Sequence, residues 1–284
     1  MQLQARTKRG RREVTRTDMK IDAAVNANDA RMIAEIAKLS HEAERILFIT
    51  GAGLSADSGL PTYRGIGGLY NETHTEDNIP IELALSGDML QQRPDITWKY
   101  LLQIESACRG AGFNLGHRIM AKMEELKPEV WVLTQNIDGF HRKAGSANLI
   151  EIHGKVEQLY CTSCEVVEQV RDYSHLMGVP TCKHCGSLIR PDVVLFGEML
   201  PMQAVECLQG ELEKGFDLIF SVGTTSVFPY IAQPVLQARF LGAKTIEINP
   251  GDTEVSAYVD YRLRMGASEA LAKIWQTMGY DLPI

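Results

Sequence analysis

The sequence lacks any long uninterrupted apolar run, and this absence excludes several classes of protein. No stretch of about 18 apolar residues is present, so a membrane-spanning helix is not expected. The basic N-terminus has no apolar segment behind it, which argues against a secretory signal. It is Arg-rich, like an organelle transit peptide, but residues 1–24 contain no Ser. Internal repeats and low-complexity tracts are also absent. These absences favour a cytoplasmic globular protein with a short extension.

Negative charge predominates, but it is unevenly distributed along the chain. The 284 residues carry a formal net charge of −7. Residues 1–24 hold seven basic and three acidic side chains, a balance of +4, so the other 260 residues carry −11. An acidic body argues against a nucleic-acid groove over most of the surface, and it suits a cationic substrate such as a Lys-rich segment. The basic extension, expected to be flexible and solvated, could touch nucleic acid or another acidic partner.

Cysteine is scarce, and four of the six residues form two closely spaced pairs. Cys161 and Cys164 form one C-x2-C pair, and Cys182 and Cys185 form another, with 17 residues between them. In a chain without a signal peptide, this pattern predicts a zinc site rather than disulfides. Four thiolates fill the tetrahedral shell of Zn²⁺, so the metal should be structural. Four reduced core cysteines are the alternative, which the spacing disfavours. His184, inside the second pair, is interpreted as a surface residue.

Short buried runs separated by helical segments predict an α/β fold with a parallel sheet. The predicted strands cover residues 46–50, 130–134, 149–152, 218–222 and 245–248. Helical patterns lie between several of them, at about 115–127, 203–214 and 229–241. Asn28 or Asp29 is expected to cap a helix that precedes the first strand. Strands that alternate with helices predict a Rossmann-like sheet covered by helices on both faces, with ligands at the carboxyl ends of the strands.

Two segments interrupt the alternation and are predicted to form a smaller lobe. Residues 65–114 are rich in Gly and polar residues and contain helical signals, so they read as a helical and lid insert. Residues 159–188 carry the paired cysteines and predict a zinc-ribbon module. The predicted organisation is therefore an extension over residues 1–24 and one α/β domain over residues 25–284 that these two inserts interrupt.

Glycine-rich and polar segments follow the predicted strands, where ligands of such sheets bind. Residues 51–59 have the pattern G-x-G-x5-G, which allows close approach of backbone to phosphate but differs from the G-x-G-x-x-G of dehydrogenases. Gln135, Asn136 and Asp138 can hydrogen-bond a ribose or an amide, although loop capping would give the same pattern. A lone His is more often structural, so the case for His153 depends on its place at this shared edge. Its imidazole could accept a proton from a ribose hydroxyl.

Together these segments closely resemble the sirtuin family. The matching stretches are G-A-G-L-S-A-D-S-G-L-P-T-Y-R-G at 51–65, T-Q-N-I-D-G-F-H-R-K-A-G at 134–145, H-G at 153–154, the cysteine pairs, R-P-D-V-V-L-F-G-E at 190–198, G-T-T-S-V-F-P at 223–229 and I-N-P at 248–250. The resemblance spans roughly residues 28–278 and implies that NAD binds between a Rossmann-like domain and a zinc-bearing domain. It also implies NAD-dependent deacylation of a lysine in a protein or peptide. Nicotinamide is released, and the acyl group, acetyl being the first expectation, passes to ADP-ribose.

The resemblance assigns roles to individual residues. His153 is implied as the general base, with Asn136 and Asp138 as the other catalytic residues. The residues implied to contact NAD are Gly51, Ala52, Gly53, Asp57, Tyr63, Arg64, Gln135, Asn136, Ile137, Asp138, Gly223, Thr224, Thr225 and Asn249. The residues implied to bind the substrate are Val194, Leu195, Phe196, Gly197 and Val227. The substrate peptide would lie along this segment as an added strand.

The chain departs from the family pattern in ways that bear on specificity. Asp57 stands where the family often has Glu, and Tyr63 where it often has Phe. Leu195 replaces a frequent Trp beside the acyl tunnel. Members that prefer succinyl-lysine carry a Tyr and an Arg three residues apart in the helical insert, whereas here no Arg follows residue 98 until Arg109. This difference favours a neutral acyl group.

Two other functions compete with lysine deacylation. The same fold and cofactor could support mono-ADP-ribosyl transfer to protein, but the presence of His153 favours deacylation, which needs a base after its first step. A zinc-ribbon module that binds nucleic acid is a different class of function. It leaves the polar strand ends unexplained, and the acidic body opposes it.

Overall fold

The computed structural model describes residues 16–62 and 75–283, and the side chains from residue 27 onward. The helices are α1 (Arg16–Glu42), α2 (Ala52–Ala56), α3 (Ile81–Ala84), α4 (Gly87–Gln92), α5 (Pro94–Cys108), α6 (Leu115–Leu126), α7 (Phe140–Ala144), α8 (Met202–Glu213), α9 (Pro229–Ala238) and α10 (Ala267–Thr277), and one turn of 3-10 helix (Arg239–Leu241) follows α9. The strands are β1 (Ile46–Thr50), β2 (Val130–Thr134), β3 (Leu149–Glu151), β4 (Gly154–Cys161), β5 (Val167–Gln169), β6 (Ile189–Val193), β7 (Leu218–Val222), β8 (Lys244–Ile248) and β9 (Tyr261–Leu263).

A parallel sheet of six strands forms the centre of the larger lobe. Its order is β3-β2-β1-β7-β8-β9, and every neighbouring pair is parallel. If its six strands are renumbered in chain order, this is the doubly wound order 3-2-1-4-5-6. The chain adds strands outward from β1 in one direction and outward from β7 in the other, so the strand order reverses between β1 and β7. The predicted α/β fold is confirmed, and the reversal marks the place where a ligand crevice is expected.

Helices cover both faces of the sheet because its strands are apolar on both sides. Phe48 and Phe220 stack at 4.7 Å on the face that also receives α1, α6 and α10. Leu47 and Ile49 point to the opposite face, where they pack with residues of α8 and α9. This alternation follows from the two-residue period of a strand. Burial on both faces leaves the carboxyl edge of the sheet as the place for polar side chains.

A smaller lobe joins the helical insert to the cysteine-bearing segment. Its antiparallel sheet has the order β5-β4-β6, and α3, α4 and α5 pack against it. Trp98 of α5 is fully buried, and its Nε1 donates to the carbonyl of Ile189 in β6 over 3.0 Å. The Trp98 ring also packs on Tyr173 at 5.8 Å. The two inserts therefore share one core, and the small sheet extends a few residues beyond 159–188 on both sides.

The predicted cap of the first helix is wrong. Asn28 and Asp29 lie inside α1, which begins at Arg16. No Gly or Pro occurs between Arg16 and Glu42, so nothing in the backbone chemistry stops the helix at the two polar residues. Residues 16–24 of the predicted extension thus belong to α1, and residues 1–15 lie outside the described residues.

Within 16–62 and 75–283, no helix is both long and apolar enough to cross a membrane.

Candidate active site at the carboxyl edge of the sheet

Three glycines allow the loops after β1 and β7 to lie directly against each other. The backbone N–H of Gly53 donates to the carbonyl of Gly223 over 2.8 Å. A Cβ added to Gly53 would lie 2.7 Å from Gly223 Cα, and a Cβ on Gly51 would lie 2.8 Å from the same carbonyl oxygen. Gly223 adopts a φ of 60°, which favours glycine. The loops therefore form a cradle without side chains, which fits a group that needs close backbone approach, such as a pyrophosphate.

A hydrogen-bond network connects the loop after β2 to α2. Asn136 Nδ2 donates to Gly51 O over 3.0 Å and to Ser55 Oγ over 3.1 Å. Ser55 Oγ in turn donates to Asp138 Oδ2 over 2.7 Å, and Asp138 Oδ1 accepts from the N–H of Phe140 over 2.9 Å. Burial raises the pKa of Asp138 against the lowering effect of these hydrogen bonds. The amide and carboxylate are thus held in fixed positions at the sheet edge.

Further hydrogen bonds tie the loops after β2, β7 and β8 together. Gln135 Nε2 donates to Thr224 Oγ1 over 2.8 Å. Asn249 Nδ2 donates to the carbonyl of Thr224 over 3.1 Å. Thr224 is buried, whereas the neighbouring Thr225 is exposed. Three of the predicted NAD-contacting residues are therefore joined across three separate loops.

His153 lies after β3 with both ring nitrogens engaged. Its Nδ1 is 3.1 Å from the carbonyl oxygen of Gln135, and its Nε2 is 2.7 Å from the hydroxyl of Tyr230. A carbonyl oxygen only accepts, so Nδ1 carries the hydrogen and Nε2 is the acceptor in the neutral ring. Burial lowers the pKa of His153, although the hydrogen bond to Gln135 raises it somewhat. The imidazole is therefore neutral near pH 7, with Nε2 able to take a proton.

Two other histidines are buried behind the site. His141, at the start of α7, hydrogen-bonds Thr50 Oγ1 through Nε2 over 2.9 Å, and Thr50 donates to Thr134 Oγ1 over 2.8 Å. Thr134 Oγ1 also accepts the backbone N–H of Asn136 over 3.1 Å. The ring of His117 lies 4.8 Å from that of His141, and burial lowers the pKa of both. These neutral rings pack behind the site and position the Asn136 loop.

A loop after β6 and a loop after β7 present the residues predicted to bind the substrate peptide. Val194 N–H donates to the carbonyl of His153 over 3.0 Å, which ties this loop to the residue predicted as the base. Gly197 and Val227 are exposed, as an edge that pairs with a peptide requires. Leu195 is buried in the core of the smaller lobe, with Phe196 packed beside it. The N–H groups of Val194, Leu195 and Phe196 are all bonded within the protein, so Gly197 and Val227 are the exposed positions of this edge.

A largely buried ion pair holds residues 194–197, the predicted peptide-facing loop. Arg190 Nη1 and Nη2 donate to Glu198 Oε1 and Oε2 over 2.5 and 2.8 Å. Glu198 Oε2 also accepts the N–H of Leu195 over 2.8 Å, and Arg190 Nη2 donates to the carbonyl of Val193 over 2.8 Å. The pair thus holds the backbone on both sides of Val194, at Val193 and at Leu195. Sequence reasoning quoted this segment but gave neither residue a role.

The four paired cysteines converge in the smaller lobe. Their Sγ atoms all lie within 4.8 Å of one another, with Cys161 and Cys185 at 3.4 Å and Cys164 and Cys182 at 3.6 Å. Zn–S bonds of about 2.3 Å in a tetrahedron require Sγ atoms about 3.8 Å apart. The donor set and its spacing fit one Zn²⁺ with a complete protein shell. His184 is exposed, which confirms its interpretation as a surface residue.

The other predicted site residues fall in different places. Ala52 begins α2, and Ile137 packs against the core of the smaller lobe. Asp57 is exposed, and its carboxylate accepts the N–H of Ser268 at the start of α10 over 2.8 Å. Tyr63 and Arg64 lie outside the described residues.

Sequence reasoning missed Ser55 and Tyr230, which the fold brings to Asp138 and His153. Ser55 lies four positions after Gly51, which places it one helical turn into α2 and directed towards the same edge. That spacing was a usable signal. Tyr230 carried no local signal, because only the packing of α9 places its hydroxyl beside His153.

Comparison with known proteins agrees with this geometry. The sequence profile of the Sir2 family matches residues 51–229. NAD-dependent protein deacylase 2 of Pseudomonas aeruginosa is 52% identical over 245 residues, which cover 85% of this chain and 95% of the relative. NAD-dependent protein deacylase 1 of Archaeoglobus fulgidus is 35% identical, with 86% and 96% covered. A solved Sir2 homologue in complex with NAD superposes with a TM-score of 0.76 at 33% identity, over 86% of this chain and 93% of the other.

Proposed function

The chain belongs to the Sir2 family and is an NAD-dependent protein deacylase, and we propose which of its residues carry out the reaction and which acyl group it removes. NAD is the co-substrate, and the cluster of four cysteines fits one structural zinc. A solved Sir2 protein that is bound to a deacetylated p53 peptide and 3'-O-acetyl ADP-ribose, at 30% identity and a TM-score of 0.78, supports an acyl-lysine protein as the substrate.

His153 is the general base in this proposal. When bound, NAD supplies the electrophilic ribose carbon and the hydroxyl that receives the acyl group. The observation that carries the assignment is the tautomer of His153: Nδ1 donates to Gln135 O, so the acceptor is Nε2. Burial keeps the ring uncharged, and an uncharged imidazole takes a proton at neutral pH.

The surrounding loops hold and orient the co-substrate. The cradle of Gly51, Gly53 and Gly223 receives the pyrophosphate, and the loops of Thr224, Thr225 and Asn249 receive the adenosine half. Gln135 lies with Asn136 and Asp138 around the nicotinamide ribose. Asn136 and Asp138 orient the nicotinamide ribose, since Ser55 and Phe140 fix the carboxylate in place. Asp57, Tyr63 and Arg64 remain predicted contacts. These residues supply position and hydrogen bonds, which is the larger part of what a fixed site contributes.

The acyl group is neutral, with acetyl as the first candidate. Lys99 of α5 is paired with Asp77 over 2.8 Å, and the hydroxyl of Tyr100 donates to the same carboxylate over 2.6 Å. Arg109 is paired with Glu105. Lys99 in α5 and Arg109 directly after α5 are thus already matched by carboxylates, which supports a neutral acyl chain over an acidic one.

The first experiment incubates the protein with an acetyl-lysine peptide, with and without NAD, and follows peptide mass and free nicotinamide. We expect NAD-dependent loss of the acetyl group in the wild type and its abolition in His153→Ala. The matched control is His175→Ala, because His175 is exposed on the smaller lobe. Equal activity in His153→Ala would refute the base assignment. A panel of acetyl, longer neutral and succinyl peptides tests the acyl preference.

Mono-ADP-ribosyl transfer is the second candidate, because it uses the same co-substrate and the same cleft. Nicotinamide release with a mass gain on a protein acceptor, and without loss of the acyl group, would favour it.

We also propose a cytoplasmic location, since four thiolates that hold a metal need a reducing compartment. Contact of residues 1–24 with nucleic acid stays a prediction, to be tested by salt-dependent DNA binding.

A further inference from the structure

The hydroxyl of Tyr230 occupies the acceptor position of the proposed base. Tyr230 is the second residue of α9, and its Oη lies 2.7 Å from His153 Nε2. Because Nδ1 of the neutral ring carries the hydrogen, Nε2 has one in-plane lone pair, and the hydroxyl of Tyr230 donates to it. A second hydroxyl cannot share that direction with good geometry. A substrate hydroxyl therefore reaches Nε2 either through Tyr230 or after Tyr230 has left.

The packing around Tyr230 holds its ring in place. Phe228 stacks on it with ring centroids 5.5 Å apart and an interplanar angle of 13°. The His153 ring stands at 84° to the ring of Tyr230 and at 86° to that of Phe228. Pro229 fixes the backbone directly before Tyr230. The three rings form one packed unit, which opposes displacement of the tyrosine during turnover.

We propose that Tyr230 is a second catalytic residue, which carries the proton of the substrate hydroxyl to His153. The proposal rests on the proposed role of His153 as base. The proton of the ribose hydroxyl passes to Tyr230 Oη while the proton of Tyr230 passes to His153 Nε2. Tyr230 ends as a neutral phenol, His153 as an imidazolium, and the ribose oxygen is left as the nucleophile.

The chemistry of a phenol suits this role. Its oxygen keeps lone pairs that can accept from a substrate hydroxyl while its own O–H donates to the imidazole. Burial raises the pKa of Tyr230 to about 12, so the phenol keeps its proton at neutral pH. Tyr230 is half-buried and packs at the border of the core on its side of the sheet, so the residue is held by packing without being sealed inside the core.

The hydrogen bond is tested first in the free protein, by ¹⁵N NMR of histidine-labelled wild type, Tyr230→Phe and Tyr280→Phe. Tyr280 is the control because it stacks on Trp275 at 4.6 Å, on the other face of the sheet. We expect the Nε2 resonance of His153 to move only in Tyr230→Phe. An Nε2 resonance that is the same in all three proteins would overturn the proposal, since no hydroxyl would then be bonded there.

The relay is tested by single-turnover deacetylation, with nicotinamide release followed in the same reaction. We expect Tyr230→Phe to slow deacetylation about 100-fold, the lower end of the range for general acid–base catalysis. Nicotinamide release should persist, because the first step needs no base. The solvent deuterium isotope effect on deacetylation should be larger in wild type than in Tyr230→Phe, because two protons move together in the wild type. Tyr280→Phe should match the wild type.

Deacetylation by Tyr230→Phe at or above the wild-type rate would show that the tyrosine only covers the base and is displaced. That result, with His153→Ala inactive, overturns the relay and leaves the proposed function standing. Full activity of His153→Ala would instead refute the base itself.

Discussion

The Arg190–Glu198 ion pair gives a direct test of how the peptide-facing loop is held. The side chains of Arg190 and Glu198 are 10% and 26% exposed, so solvent screens the pair only in part. Glu198→Gln keeps one acceptor oxygen but replaces the other with an NH₂ group that faces a donor, either Arg190 or the N–H of Leu195. Breaking a buried pair costs about 3–5 kcal/mol. Because Gln retains one acceptor, we expect a loss of about 2–4 kcal/mol in the free energy of unfolding.

The assay is urea unfolding of the wild type, Glu198→Gln and a surface control. Glu269→Gln is the control, because Glu269 pairs with Lys273 on α10 and their side chains are 58% and 47% exposed. Such a pair contributes less than about 0.5 kcal/mol. Because Glu198 also holds the N–H of Leu195, we expect Glu198→Gln to raise KM for the peptide and to leave the affinity for NAD nearly unchanged.

The pH dependence of the pair has a definite sign. Burial by itself raises the pKa of Glu198. The hydrogen bonds and charge of Arg190, together with the N–H of Leu195, lower that pKa by more, so the net pKa lies below 4.5. The stabilisation is therefore present above about pH 4.5 and is lost as pH falls through the lowered pKa. The reasoning is refuted if Glu198→Gln is as stable as Glu269→Gln and binds peptide as tightly as the wild type.

Three further predictions follow from the site and the zinc module. Gly53→Ala should weaken NAD binding, measured by calorimetry, and cost about 1–3 kcal/mol of stability, because its Cβ would lie 2.7 Å from Gly223 Cα; unchanged affinity would contradict the cradle. The midpoint of the acid limb of the kcat/KM profile should lie below pH 6.5, because burial lowers the pKa of His153 and the base works in its neutral form. A midpoint above pH 6.5 would count against His153 as the base. Cys182→Ser should lose zinc, measured by mass spectrometry of the metal, and lower Tm, whereas Cys207→Ser, at an exposed position, should retain both.

Much of the larger lobe could be predicted from the sequence because its signals are local. A run such as Ile46–Thr50 is apolar at every position, and all five residues are buried in β1. The predicted helix at 115–127 corresponds to α6, where Asn114 supplies the cap. Local signals failed at Asn28 and Asp29, because a residue that can cap a helix can also lie within one when no breaker is near. The short strand β9 was missed, since three residues carry too little pattern to be recognised.

The chain itself determines the chemical groups that the site contains: two cysteine pairs, a glycine segment after an apolar strand, and polar residues after the next strands. These are covalent facts of residue type and spacing, and parallel strands bring their carboxyl ends to one edge whatever the loops do. The tertiary structure alone decides which groups touch. The contacts of Tyr230 with His153, of Ser55 with Asp138 and of Glu198 with the peptide-facing loop depend on how helices and loops pack. Packing depends on many distant side chains at once, so no short stretch of sequence encodes it.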